Sequence, residues 1–188
     1  MPDILCRVNG RILRVRKAVE ADGAAIGEAH AAAWLAAYGH IFAATFLAAA
    51  AESRRVGWPQ AIRRLLTPPN VLLVGELDHH VVAFAHATPR PDTRRAAEIR
   101  GFYSHPAAWG TGVARLLMTE TCAALAEEFE TVTLWTLRDA ARARRFYANV
   151  GFHATGNVLS KALSDWTTGI VREAPAVEYA RVLHPTGR

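Results

Sequence analysis

The residues of this chain best placed for chemistry lie in one run, Glu98 to Leu117 (EIRGFYSHPAAWGTGVARLL). A strand-like segment from Ile99 to Ser104 stops at His105 and Pro106. Ala107, Ala108 and Trp109 then lead into Gly110, Thr111, Gly112, Val113 and Ala114, where a helical pattern begins. Glycine lets the backbone approach a ligand with no Cβ in the way, and the first N–H groups of a helix have no intrahelical partner. The helix dipole adds about half a positive charge at that end, so the arrangement suits phosphate or pyrophosphate. The same residues also make a plain tight turn, and the loop alone does not decide between the two.

Other chemistry is poorly served. Cys6 and Cys122 are the two cysteines, far apart and without a CxxC spacing, so neither a disulfide framework nor a zinc site is expected, and a reducing cytoplasm fits. His79 and His80 follow Asp78 between two β-rich runs, which reads as a hairpin tip rather than a metal site. A net charge of +5 permits an anionic ligand or a nucleic acid, but the basic residues are scattered or paired with no aromatic-interleaved tract, so no nucleic-acid partner is expected. At 51% hydrophobic and 21% charged residues, the chain is ordinary for a globular protein, and it contains no run of membrane-spanning length.

The elements that must position the loop can be read in order. Residues 1–10 are expected to be a leader, with residues 11–188 as one domain. Alternation of Ile12, Leu13 and Val15 with arginines predicts a first strand. Asp22 stands where an N-cap would, before Ile26, His30, Trp34 and Tyr38, whose spacing of four puts them on one helix face. A second helical region, Ala43 to Leu66, is expected in two pieces because of Pro59. Val71–Leu77 and Val81–His86 read as a hairpin, and Thr88–Ala96 as a polar loop. After the glycine loop, a helix should run to about Glu128, Thr131–Leu137 should be a strand, and a further helix should end at Gly151. Beyond Phe152 the pattern weakens, with Ala176–Leu183 as the last expected strand.

A second block, Leu134 to Phe152 (LWTLRDAARARRFYANVGF), read beside the first, resembles the cofactor-binding half of the GNAT superfamily of N-acetyltransferases. In that family a strand ending like Leu-Tyr-Val-x-Pro precedes a Gln/Arg-x-x-Gly-x-Gly/Ala loop, and a later block carries Asn-x-x-Ala-x-x-Phe-Tyr-x-x-x-Gly-Phe. Phe102-Tyr103-Ser104-His105-Pro106 and Trp109-Gly110-Thr111-Gly112-Val113-Ala114 match the first two patterns, and Ala143, Phe146, Tyr147, Gly151 and Phe152 match the third. Trp109 stands in place of the loop's Gln/Arg. Ala140 stands in place of the Asn, with Asp139 one position early as a candidate N-cap.

The resemblance implies an α/β fold, with a mixed, mainly antiparallel sheet, helices on both faces, and a splayed parallel strand pair forming a cofactor cleft. It implies acetyl-CoA as co-substrate, its pyrophosphate on Gly110, Thr111, Gly112, Val113, Ala114 and Arg115, and its pantetheine arm along Phe102, Tyr103 and Ser104. Acetyl would pass directly to a primary amine: a small molecule, an amino acid derivative or a protein amino group. Tyr147 matches the position of the tyrosine that protonates the leaving thiolate. Glu98 is the first candidate for the base, with His105 as its rival, and Trp34 and Tyr38 are expected in the amine pocket. A cytoplasmic enzyme, with a homodimer possible, is the expectation. The same fold holding an acyl-CoA without turnover is the alternative.

Overall fold

The computed structural model describes residues 3–93 and 95–184; Met1 and Pro2 of the expected leader and Arg94 of the expected polar loop fall outside it. The strands are β1 (Ile4–Val8), β2 (Arg11–Lys17), β3 (Val71–Leu77), β4 (His80–Pro89), β5 (Ala96–Ser104), β6 (Thr131–Leu137), β7 (His153–Ser164) and β8 (Val171–Val182). The helices are α1 (Gly23–Tyr38), α2 (Ala44–Leu65), α3 (Val113–Leu125) and α4 (Ala141–Asn149). The strands form one sheet in the order β1-β2-β3-β4-β5-β6-β8-β7, antiparallel throughout except for β5 and β6.

The alternation of side chains along each strand assigns a face to each helix. Leu72, Val74 and Phe84 pack with Ile26, Trp58 and Ile62 on the side of α1 and α2. Leu73, Ala83 and Ala85 point the other way, onto Leu117 of α3. Each fully buried Phe or Leu stabilises such a layer by about 1.5–3 kcal/mol. α4 joins α3 on its face through Tyr147, Val150, Met118 and Cys122.

Several expectations are corrected. Residues 4–8 are not leader but β1, paired with β2 from Ile4↔Val15 to Val8↔Arg11. Asp22 precedes α1 but does not cap it; its carboxylate accepts from Arg16 (2.7 and 2.8 Å) and from the Val19 N–H. Burial alone would raise the Asp22 pKa, and these partners hold it below its ordinary value. α2 is one helix with Pro59 inside it. Pro59 leaves the Arg55 carbonyl without its usual donor, and α1 closes on that turn with glycines: a Cβ on Gly27 would sit 2.8 Å from the Arg55 oxygen, and one on Gly23 2.9 Å from Pro59 Cα. Thr88 and Pro89 belong to β4, so the polar loop is shorter than expected. β8 begins at Val171, and β7, which carried too little apolar alternation to be read, pairs with it as the edge strand.

The hairpin between β3 and β4 turns at Asp78 and His79, both with positive φ (49° and 69°), as a two-residue hairpin turn requires. The feature that positions the site is in β5. Ala87 faces Ile99, but His86 faces Gly101, so Arg100 is an extra residue, a β-bulge. Pairing of β5 with β6 stops at Ile99↔Leu134, next to that bulge. Beyond it the two parallel strands part.

Candidate active site

Two cavities open at the gap between β5 and β6. One, of about 700 Å³, runs over the start of α3 and along α4. The other, of about 590 Å³, lies among α1, α2, β5 and β7. Arg100, Gly101, Tyr103, Trp135, Lys161 and Leu163 line both. The two cavities therefore meet at the splay, which makes a passage suited to bringing two reactants together.

The first cavity is walled at one end by the glycine loop. Gly110 (φ 82°) and Gly112 (φ 94°) hold left-handed conformations open to few other residues, and nothing lies within 4 Å of where a Gly110 Cβ would be. Among the described residues, the N–H groups of Gly110, Gly112, Ala114 and Arg115 have no acceptor in the loop or cap. Thr111 instead ties the loop down, its hydroxyl donating to the Ala108 carbonyl at 2.7 Å. Uncapped N–H groups on a backbone with room above it fit a pyrophosphate. Past Ile99, the β6-facing side of β5 has no strand partner, which leaves Phe102 and Tyr103 with a free edge for an amide-bearing arm. The Ser104 carbonyl is occupied, accepting from Trp109 Nε1 at 3.1 Å.

Trp109, which stands in the motif where a Gln or Arg is usual, has a second role. The Arg142 guanidinium of α4 stacks over its ring at 3.9 Å, so a cation beside the loop comes from a different element. Arg115 and Arg145 also line this cavity. At α4 the Ala140 position supplies no side-chain cap, and Asp139 does not replace it: its carbonyl accepts from the Ala141 N–H and from His40 Nε2.

Tyr147 lines the same cavity, its ring among Phe102, Phe146, Phe152 and Tyr179. Burial, and secondarily Tyr103, pushes its pKa well up, so the phenol keeps its proton. Glu98 lies on the opposite side. It precedes the bulge, lines the second cavity, and has Arg100 at 3.6 Å. Tyr147 and Glu98 therefore face the passage from its two ends. His105 lines neither cavity; its Nδ1 accepts from the Ala107 N–H.

The two expected pocket aromatics separate. Tyr38 lines the first cavity and Trp34 the second, and both are also core, packed with Phe46, Leu47 and Ala50. The second cavity further contains residues that the sequence did not single out. Arg54, from α2, is 4% exposed and lies between the rings of Trp34 (3.3 Å) and Trp166 (4.9 Å). Lys161, from β7, has its pKa held below the ordinary value by burial, with Glu98 opposing and Arg100 reinforcing. No periodicity of Arg54 or Lys161 marks them, since their elements come together only in the folded chain.

The model of the acetyltransferase (GNAT) family matches residues 25–152. No curated protein sequence matches the chain. Among solved structures, the chain is similar to the PaiA N-acetyltransferase of Thermoplasma acidophilum in complex with coenzyme A, at TM-score 0.72 and 12% identity, covering 90% of this chain and 98% of that one. It is also similar to a GCN5-related N-acetyltransferase from Kribbella flavida (TM-score 0.64, 21% identity, 91% and 98% covered). The ribosomal-protein-S18-alanine N-acetyltransferase of Escherichia coli is a further likeness (TM-score 0.60, 15% identity, 94% and 97% covered).

Proposed function

The chain belongs to the acetyltransferase (GNAT) family, an acetyl-CoA-dependent N-acetyltransferase, and we propose that it moves the acetyl group directly to a primary amine that enters through the second cavity. The observation that carries this reading is the passage itself: two cavities that share Arg100, Gly101, Tyr103 and Trp135 where β5 and β6 part, one reaching the glycine loop and the other Glu98. Bound acetyl-CoA supplies an activated acyl carbon with a thiolate leaving group. The chain supplies the rest.

The N–H groups of Gly110, Gly112, Ala114 and Arg115 hold the pyrophosphate, and the free edge of Phe102 and Tyr103 aligns the pantetheine arm. Glu98 takes a proton from the incoming ammonium, directly or through water, at a carboxylate oxygen. Backbone N–H groups near Tyr103 steady the carbonyl oxygen as it gains charge. Tyr147, protonated at neutral pH, gives its phenolic proton to the departing sulfur.

Calorimetric titration with acetyl-CoA, with CoA and ATP alongside, tests the co-substrate half. Acetyl-CoA and CoA should bind saturably and ATP much more weakly. Absence of acetyl-CoA binding over a range of salt and pH would overturn the assignment. A panel of primary amines, read by thiol release, tests the transfer.

A further inference from the structure

We propose that the second cavity is a carboxylate-binding acceptor site, so that the amine is carried by an amino acid or a similarly acidic small molecule. This rests on the acetyl-transfer reading only for what happens to the amine; the anion site is argued from the cavity alone.

The cavity wall holds an excess of hydrogen-bond donors with nothing to accept from them. Trp58 Nε1 donates to His30 Nδ1 at 2.9 Å, which leaves the His30 proton on Nε2. That Nε2 has no partner. Trp34 Nε1 and Arg54 Nε are likewise buried and unpartnered. All three side chains line this cavity, and each is less than a tenth exposed. A buried donor without an acceptor is destabilising, and such groups in a folded protein call for an explanation. Here the three unpartnered buried side-chain atoms found among the described residues all belong to one cavity. A ligand that satisfies them must be rich in acceptors.

Charge makes that ligand an anion. Among the described residues, Arg54 Nη1 donates only to the carbonyls of Ala50 (2.7 Å) and Ser164 (3.2 Å), and no carboxylate bonds the guanidinium. Burial lowers its pKa to about 10, partly countered by Tyr103, Tyr38 and Asp165, so it is cationic at neutral pH. Arg100 and Lys161 line the same cavity against a single carboxylate, Glu98, while His30 and His86 are both held below the ordinary histidine value by burial and a nearby arginine. Asp165, the other acid near Arg54, spends its oxygens on Thr167 N–H and Thr168 hydroxyl. A carboxylate suits the planar guanidinium fork, and the Trp34 indole stacked beneath Arg54 adds an N–H on the same wall. The amine of such a substrate then has Glu98 as the one acid lining the cavity.

The site can be read without turnover, because Trp34, Trp58, Trp135 and Trp166 line it. Intrinsic fluorescence is titrated with a set of neutral-side-chain amino acids, their carboxamides, and the corresponding aminoalkyl phosphonates and sulfonates. At least one carboxylate should produce a saturable change with Kd about ten-fold or more below that of its amide, a difference that corresponds to roughly 1.4 kcal/mol. Trp34→Phe, which keeps the ring under Arg54 and removes one donor, should shrink that preference several-fold. Arg54→Lys, which keeps the charge and loses the fork, should shrink it further. Amides that bind as well as the acids would overturn the proposal, as would tetrahedral anions preferred over carboxylates, or no response to any acid. Should acetyl-CoA fail to bind while the carboxylates do, the transfer reading falls and the anion site stands.

Discussion

The two cavities that meet at the β5–β6 splay are built by opposite means. The proposed co-substrate side is mostly backbone: unpaired N–H groups around Gly110 and Gly112, an unpaired edge of β5, and small residues at the start of α4. The proposed acceptor side is mostly side chain: Arg54 between two indoles, His30 against Trp58, and Lys161 reaching in from β7. A backbone cradle tolerates substitution of its own side chains as long as φ is preserved, whereas a side-chain pocket changes its ligand with each replacement. One face of this protein is thus fixed by conformation and the other by residue identity.

The sharpest break between the two would come from Tyr147→Phe. It removes one oxygen from the co-substrate side and leaves the aromatic packing intact, so acetyl-CoA binding by calorimetry should be nearly unchanged while kcat falls by about 10²-fold or more, the scale of a lost general acid. An unchanged kcat would return Tyr147 to the core cluster alone.

Glu98→Gln should cost about 10²-fold in kcat/KM, on the acceptor side only. A base works when deprotonated, so an acidic limb of kcat/KM carried by this carboxylate should be missing from the glutamine variant. A retained limb would move the base elsewhere. Lys161 would then be the group to replace, since burial already biases it toward the neutral form.

Gly112→Val tests the opposite kind of residue. The space is open, with Leu13 Cδ2 at 3.6 Å as the nearest atom, so the damage comes from φ 94° rather than from a clash. A β-branched residue there is strained by about 1–3 kcal/mol. If the loop relaxes, its N–H groups turn away, and acetyl-CoA affinity should fall about ten-fold with no change in amine preference. A shifted amine preference would join the two cavities more closely than their construction implies.

This division also explains what could be read from the sequence. The glycine loop, β5, β6 and α3 follow one another in the chain, and their glycines, proline and apolar alternation are local signals, so the proposed co-substrate cleft could be drawn from residues 98–152. The bulge at Arg100 was not, because it is defined by the pairing of β4 rather than by any residue type. The proposed acceptor cavity draws on α1, α2, β5, β7 and the loop after β7, which bring together residues as far apart in the chain as His30 and Trp166. Of its polar residues, Glu98 and Trp34 were anticipated individually. β7 itself was missed because its first eight residues are exposed on both faces and so carry no alternation.

The smallest expected effect tests whether the co-substrate side is wholly backbone. Arg142 is exposed and stacks on Trp109, a seat worth about 0.5–1 kcal/mol at such a site. If it meets a phosphate there, Arg142→Ala should weaken acetyl-CoA about three-fold and flatten the salt dependence of binding, leaving kcat at saturation unchanged. Trp109→Phe separates the ring's two roles: it keeps a face under the guanidinium and removes the hydrogen bond to the Ser104 carbonyl. Affinity retained in Trp109→Phe but lost in Arg142→Ala would mean that α4 supplies the cation that the loop's own sequence lacks. Affinity lost in Trp109→Phe alone would mean that the tryptophan acts by pinning the end of β5. The cradle would then be backbone throughout, with its aromatic residue as the clamp that holds the strand edge in place.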